Sequence, residues 1–108
     1  LKVCANLVIP SRATWSNHIF HQYTLRVNEA NREELSKFLA GKGIPSMVYY
    51  PIPLHSQKAF EAYRLQNSNS TFPVSNSLST SVLSIPMHTE LDVDTINFIT
   101  ESILSFFK

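Results

Sequence analysis

Two glycines in 108 residues leave no material for a phosphate-cradling loop of the usual kinds, in which closely spaced glycines let backbone N–H groups approach the phosphate. There is no Gly-x-Ser-x-Gly, so a nucleophile elbow is excluded as well. A single cysteine, Cys4, cannot form an internal disulfide, and no Cys/His pair stands at zinc-ligand spacing. Within the apolar run Val3-Cys4-Ala5 it reads as a small buried hydrophobe, and a reducing, cytoplasmic setting suits it. Charge is also scarce. Charged residues make up 16% and the net charge is +1, with no basic stripe, which excludes a general nucleic-acid or membrane-surface binder. Apolar runs are too short to span a membrane, and the N-terminus has no signal-peptide pattern. No lysine reads as a Schiff-base former: Lys37, Lys42 and Lys58 fall on solvated helix positions, and Lys2 and Lys108 are terminal. The chain opens at Leu1, without methionine, and enters a strand-like run at once. Truncation of a longer protein is the expectation.

What is present suffices for one core. Hydrophobic residues are 44% and aromatics 11%, and the length suits one domain. Val3 to Ile9 reads as a strand ended by Pro10. After a polar loop, the alternating, β-branched and aromatic stretch His18 to Val27 reads as a second strand. Asn31 and Glu34 form a capping-box pattern, with Ala30 and Leu35 at the staple positions. Leu35, Phe38 and Leu39 then give a helix over Arg32 to Lys42 one apolar face, and Gly41 and Gly43 end it. Ser46 to Tyr50 reads as a brief strand closed by Pro51 and Pro53, and Ser56 to Leu65 as a helix with Ala59, Phe60 and Tyr63 inward. Pro73 opens a short helix to Thr80, and Val82 to Ile85 is a fourth strand. A last helix is capped by Asp92, with Leu91 and Ile96 at staple positions and Ile96, Ile99, Ile103 and Phe106 on its apolar face. The order β-β-α-β-α-α-β-α indicates an α/β fold: a small, mainly antiparallel sheet of about four strands with helices packed on one face.

The chemistry concentrates in four histidines. His18 and His21, three apart on a strand, would point to opposite faces, and no acidic third ligand accompanies them, so a metal site is not expected. His18 reads as structural or solvated, and His88 as ending a strand. His21 and His55 stand on a strand and in a turn after one, where α/β folds usually carry function. On residues alone, the chain is an α/β domain with a His- and Tyr-lined edge. A non-catalytic module that binds a ligand or a partner remains an alternative.

Four stretches in order resemble the DegT/DnrJ/EryC1/StrS family of sugar aminotransferases in its C-terminal domain. His18-Ile19-Phe20-His21-Gln22-Tyr23-Thr24-Leu25-Arg26 is similar to "H-x-Y-H-Q-Y-x-I-R". Asn31 to Leu35 opens a helix where the family has "R-D-E-L", and Gly43 to His55 looks like "G-I-x-T-x-x-H-Y-P-x-P-L-H". Val82 to His88 resembles "V-L-S-L-P-M-H" and precedes a helix start from Leu91 to Ile96. Tyr49 stands where the family often has His, and Ile85 where Leu is usual.

The resemblance implies the small C-terminal domain of an enzyme with the aspartate-aminotransferase fold, occupying residues 1–108. A large N-terminal domain, absent from this chain, would carry the pyridoxal phosphate lysine. It also implies a homodimer that aminates a nucleotide-linked keto sugar, usually from glutamate, with the cofactor as electron sink. His21, Tyr50 and His55 are then the substrate-binding candidates, and Asn17 a candidate contact to a partner subunit's cofactor phosphate. No catalytic residue is expected in this piece, which alone should be inactive. A domain that packs on a larger one should also leave apolar surface uncovered, along the first strand and the helix from Arg32 to Lys42 or on the loop after Tyr50.

Overall fold

The computed structural model describes residues 5–66 and 71–108, so Cys4 and the start of the expected first strand lie outside the described residues. Strands β1 (Leu7–Val8), β2 (Tyr23–Val27) and β3 (Val82–Ile85) form one antiparallel sheet in the order β1-β2-β3. Leu7 pairs with Val27 and Leu25 with Leu83. Leu25 and Val27 of β2 and Leu83 of β3 lie in the core, while Arg26 is exposed. This is the two-residue alternation of a sheet covered on one side.

Helices α1 (Glu29–Gly41) and α4 (Val93–Phe106) supply the cover. Leu35 and Leu39 come from α1 and Ile99 and Ile103 from α4, and all four join Leu7, Leu25, Val27, Ile44 and Leu83 in one cluster. Five of these side chains, Leu25, Leu35, Leu39, Leu83 and Ile103, are fully buried. Each contributes about 1.5–3 kcal/mol relative to an exposed position. The expected α/β architecture is therefore present.

Several boundaries differ from the sequence reading. Of the expected strand from Val3 to Ile9, only Leu7 and Val8 pair in the described part, with Ala5 and Asn6 in a turn. The sheet has three strands where about four were expected. Ser46 to Tyr50 makes only a single bridge, in which Met47 and Ser84 exchange both backbone hydrogen bonds (3.0 and 2.7 Å). Pro45 and Pro51 flank this bridge, and neither has an N–H to extend a ladder. Strand β2 begins at Tyr23 rather than His18 because Phe20 has a φ of 45°, a left-handed conformation that breaks an extended chain. Helix α1 begins at Glu29 rather than Arg32. Asn31 donates its N–H to the Asn28 carbonyl (2.9 Å), so Asn31 lies in the first turn and does not cap the helix.

The C-terminus of α1 follows expectation. Gly43 has a φ of 74°, Ile44 donates to the Leu39 carbonyl (2.9 Å), and Gly43 donates to that of Ala40 (3.0 Å). This is the paired bond pattern of a Schellman cap, and its apolar partners Leu39 and Ile44 are both buried. Helix α4 is capped as expected. The Asp92 carboxylate accepts the Thr95 N–H at 2.7 Å, and that bond holds its carboxyl below the usual aspartate value. Ile99 and Ile103 are buried, whereas Ile96 stays 46% exposed.

Between Ile44 and Ser79 no described residue is buried. This segment runs through two 3-10 turns (Leu54–Ser56 and Lys58–Phe60), α2 (Glu61–Gln66) and most of α3 (Pro73–Ser81). The continuous inward-facing helix expected over Ser56 to Leu65 is not formed: Ala59 and Tyr63 are exposed, and Phe60 is half-buried. A proline-bounded loop and two short turns bring this stretch only to the margin of the sheet. The arm is fastened at its two ends. The Ser36 and Ser46 hydroxyls bond at 2.9 Å, and Arg32 of α1 donates to the Ser79 carbonyl at 2.6 Å.

Candidate functional site

The arm and the edge of the sheet enclose an open groove of about 1260 Å³. Its floor includes Val82 of β3 and Ser79 of α3, and its walls carry Tyr50, His55, Phe60 and Phe72. His55 lies in the first 3-10 turn, half-buried, and its position is fixed twice. Its Nε2 is 2.9 Å from the Asn76 Oδ1, and its ring lies 4.5 Å from that of Phe72. With the Asn76 oxygen as acceptor, Nε2 carries the proton and Nδ1 keeps its lone pair. Asn76 and Phe72 are held together in turn, because the Asn76 N–H donates to the Phe72 carbonyl as α3 begins (3.0 Å).

Tyr50 is 74% exposed, with its ring edge-on to Tyr49 at 5.9 Å. The groove therefore offers aromatic faces, one oriented imidazole and, among its described lining residues, one permanent cation, Arg64, paired with Glu61 at 3.4 Å. That combination suits a flat, polar ligand that stacks, donates a hydrogen bond to the imidazole and accepts from Arg64.

A second, smaller groove of about 270 Å³ lies beside the first, with Tyr49 in the wall of both. Here His21 and Gln22 face Met47, Pro86 and Met87, and Ser84 of β3 is also part of the lining. His21 precedes β2 rather than lying within it, so strict alternation with Tyr23 does not set its direction. It follows directly on the turn at Phe20. His18 accepts the Phe20 N–H at Nδ1 (2.9 Å) and stacks on the Phe20 ring (4.1 Å, 15°), while Arg12 lies 5.2 Å from that ring.

Of the residues singled out in the sequence, Tyr50 and His55 thus share one groove and His21 lines the next. Asn17 lies on an exposed loop and lines neither. His88 has the structural part expected of it: its Nδ1 accepts the Glu90 N–H at 3.2 Å, forming a turn after β3. Asn76 and Phe72, which orient His55, were not singled out. Their four-residue spacing at a helix start was the signal available.

The described residues do not fit a complete pyridoxal phosphate site. Lys37, Lys42, Lys58 and Lys108 are all exposed, and none lines either groove. Lys42 is turned onto the Phe38 ring (5.1 Å) on the far side of α1. Uncovered apolar side chains occur on and after the loop at Tyr50, as expected, where Tyr50, Ile52, Leu54, Tyr63 and Leu65 are each more than half exposed; Val8 of the first strand is too, and so are Trp15, Ile19, Met47, Val74 and Val93. The outer positions of α1 are polar or small.

Comparison with known proteins gives a consistent answer. The family model for the DegT/DnrJ/EryC1/StrS aminotransferases matches residues 1–104. A UDP-N-acetyl-3-dehydro-alpha-D-glucosamine 3-aminotransferase of Acidithiobacillus ferrooxidans is 40% identical over 86 residues, which are 80% of this chain and 22% of the relative. A pleiotropic regulatory protein of Geobacillus stearothermophilus is 36% identical over 94% of this chain and 26% of its own length. The crystal structure of a DegT DnrJ EryC1 StrS aminotransferase from Brucella abortus superposes with a TM-score of 0.83 at 32% identity, over 94% of this chain and 26% of that one. The chain spans about a quarter of the length of these relatives. With nearly every residue inside the family match, and with the fold shared, the chain belongs to the DegT/DnrJ/EryC1/StrS aminotransferase family.

Proposed function

We propose that this chain is the small C-terminal domain of a pyridoxal-phosphate-dependent aminotransferase that converts a keto-sugar nucleotide to an amino-sugar nucleotide. The observation that carries this reading is the family match over residues 1–104 in a chain that spans about a quarter of its relatives. A sugar-nucleotide substrate is supported by the Acidithiobacillus relative, a 3-aminotransferase named for a UDP-linked dehydro sugar. The cofactor supplies the electron sink, and glutamate is the usual amino donor of such chemistry.

This chain contributes binding and orientation. His55, held through Nε2 by Asn76, presents its ring to the larger groove, where Tyr50 and Phe72 offer aromatic faces to a nucleobase or sugar. Arg64 on the rim suits an anionic diphosphate. His21 stands at the smaller groove, within reach of a ligand bound across both. The exposed Asn17 is free to approach the cofactor phosphate of a partner subunit in a homodimer. The exposed apolar arm supports packing against a larger domain, which would hold the cofactor lysine. A cytoplasmic setting accords with the single cysteine. The Geobacillus relative's description as a regulatory protein favours a second reading, a non-catalytic partner-binding domain.

One experiment separates the two. In a chimera, this chain replaces the matching segment of the Acidithiobacillus 3-aminotransferase. A working small domain yields a folded enzyme that aminates the relative's own UDP-linked keto sugar. His21→Gln and His55→Gln each remove one ligand hydrogen bond, about 1–3 kcal/mol, and lower kcat/KM roughly ten- to a hundredfold. A folded, cofactor-loaded chimera without activity supports the regulatory reading. An active one that is indifferent to both substitutions makes the two histidines packing residues.

A further inference from the structure

We infer that His18 is a positioning residue, which holds Phe20 in its left-handed conformation and thereby aims His21 at the smaller groove. The inference rests on His21 being a ligand-facing residue as proposed above. The sequence alone made His18 structural or solvated. The structure gives it a specific task.

The His18 Nδ1 accepts the N–H of Phe20, two residues on, at 2.9 Å. The two rings stack at 4.1 Å and 15°, and Phe20 is only 8% exposed although Ile19 beside it is 87% exposed. Phe20 is the one non-glycine residue with positive φ among the described residues, and such a conformation persists only where surrounding contacts over-determine it. Those contacts are the His18 bond and stack, the Arg12 guanidinium 5.2 Å from the ring, and Tyr23 at 5.2 Å. His21 follows directly, so the direction of its side chain is set by the Phe20 turn.

A similar bond occurs next to another part of the lining. His88 accepts the Glu90 N–H through Nδ1 at 3.2 Å, immediately after Pro86 and Met87, which line the same groove as His21.

The bond has a chemical signature. An imidazole accepts at Nδ1 only while that nitrogen carries no proton, so protonation of the ring breaks the bond to Phe20. The groups against His18 and Phe20 are Arg12 and Tyr23, and neither of the two ion pairs among the described residues involves His18. An asparagine at this position restores an acceptor for the same N–H, since its side-chain oxygen closes the equivalent i to i+2 turn.

The test is a nuclear magnetic resonance titration of the 108-residue chain between about pH 8 and about pH 5, with no ligand present. The Phe20 amide proton should move with the same midpoint as the His18 ring. His18→Asn should hold that amide near its high-pH position throughout. His18→Ala should place it near the low-pH position at every pH and, compared with the native chain at the single value of about pH 8, should also displace the His21 ring and the Met47 and Met87 methyls, with the Leu25 and Leu83 methyls reporting an intact core. A Phe20 amide indifferent to the His18 titration overturns the inference. So does a folded His18→Ala variant with unchanged His21 and methionine resonances. Should His18→Ala not fold, the titration of the unaltered chain decides alone. Because no ligand enters, failure here is distinct from failure of the substrate reading, which the chimera measures.

Discussion

Asp92 shows how one side chain on this chain carries both a structural and a titratable role. Its carboxylate accepts the Thr95 N–H and lies at the positive end of α4, and these interactions favour the ionised form. The folded carboxyl therefore has a pKa below the unfolded one, so its contribution to stability is complete above the unfolded value and is lost as pH falls through the folded value. Thermal unfolding followed from about pH 6 down to about pH 2 should show Tm falling on the acid side, more steeply in the native chain than in Asp92→Asn. Asparagine keeps a capping oxygen but does not titrate. Asp92→Ala should lower Tm across the whole range. Parallel acid limbs in the native and Asp92→Asn chains would remove the carboxylate from the account. Asp92 was legible in the sequence because a cap is a local matter of one acceptor and one N–H. His55 was legible only as a type of residue in a turn. Its orientation depends on Asn76 and Phe72, some twenty residues along, a contact that spacing does not encode.

At the scale of elements, agreement with the sequence follows the range over which each signal acts. Helix α4 and strand β3 lie where periodicity and prolines put them, and α1 ends at the glycine expected to end it. Its start was misplaced because the capping-box pattern at Asn31 and Glu34 competes with a helix nucleus three residues earlier, where Asn28 accepts the first backbone bond. The brief strand at Ser46 to Tyr50 shrank to one bridge because Pro45 and Pro51 bound it, and β2 lost its first five residues to the turn at Phe20. The glycines at the end of α1 allow a paired test. Gly43, at φ 74°, has open space where a Cβ would go, so Gly43→Ala meets only backbone strain. It should cost about 1–2 kcal/mol. Gly41 is helical and equally unobstructed, so Gly41→Ala should stabilise by about 0.5–1 kcal/mol. Urea unfolding of the two variants measures both, and equal effects of the same sign would contradict the cap assignment.

The whole molecule is less compact than its length implies. Its radius of gyration is 16.3 Å, with extents of 51 × 35 × 26 Å. A self-contained domain of this size is expected near about 13 Å. The arm between Ile44 and Ser79 has no buried described residue, and its Tyr50, Leu54, Tyr63 and Leu65 are more than half exposed. Sequence patterning could not separate this arm from a core helix, because Tyr63 and Leu65 have the composition of buried residues. Both stay more than half exposed, with the Tyr63 ring 6.4 Å from that of Phe60. The proposed function implies a division of labour, in which this chain would carry substrate-side side chains and a docking face and a larger domain the cofactor. An absorbance titration of the purified 108-residue chain with pyridoxal phosphate tests that claim most directly. The exposed lysines, none of which lines a groove, predict no saturable, stoichiometric binding at low micromolar cofactor. Saturable one-to-one binding at that concentration would contradict it.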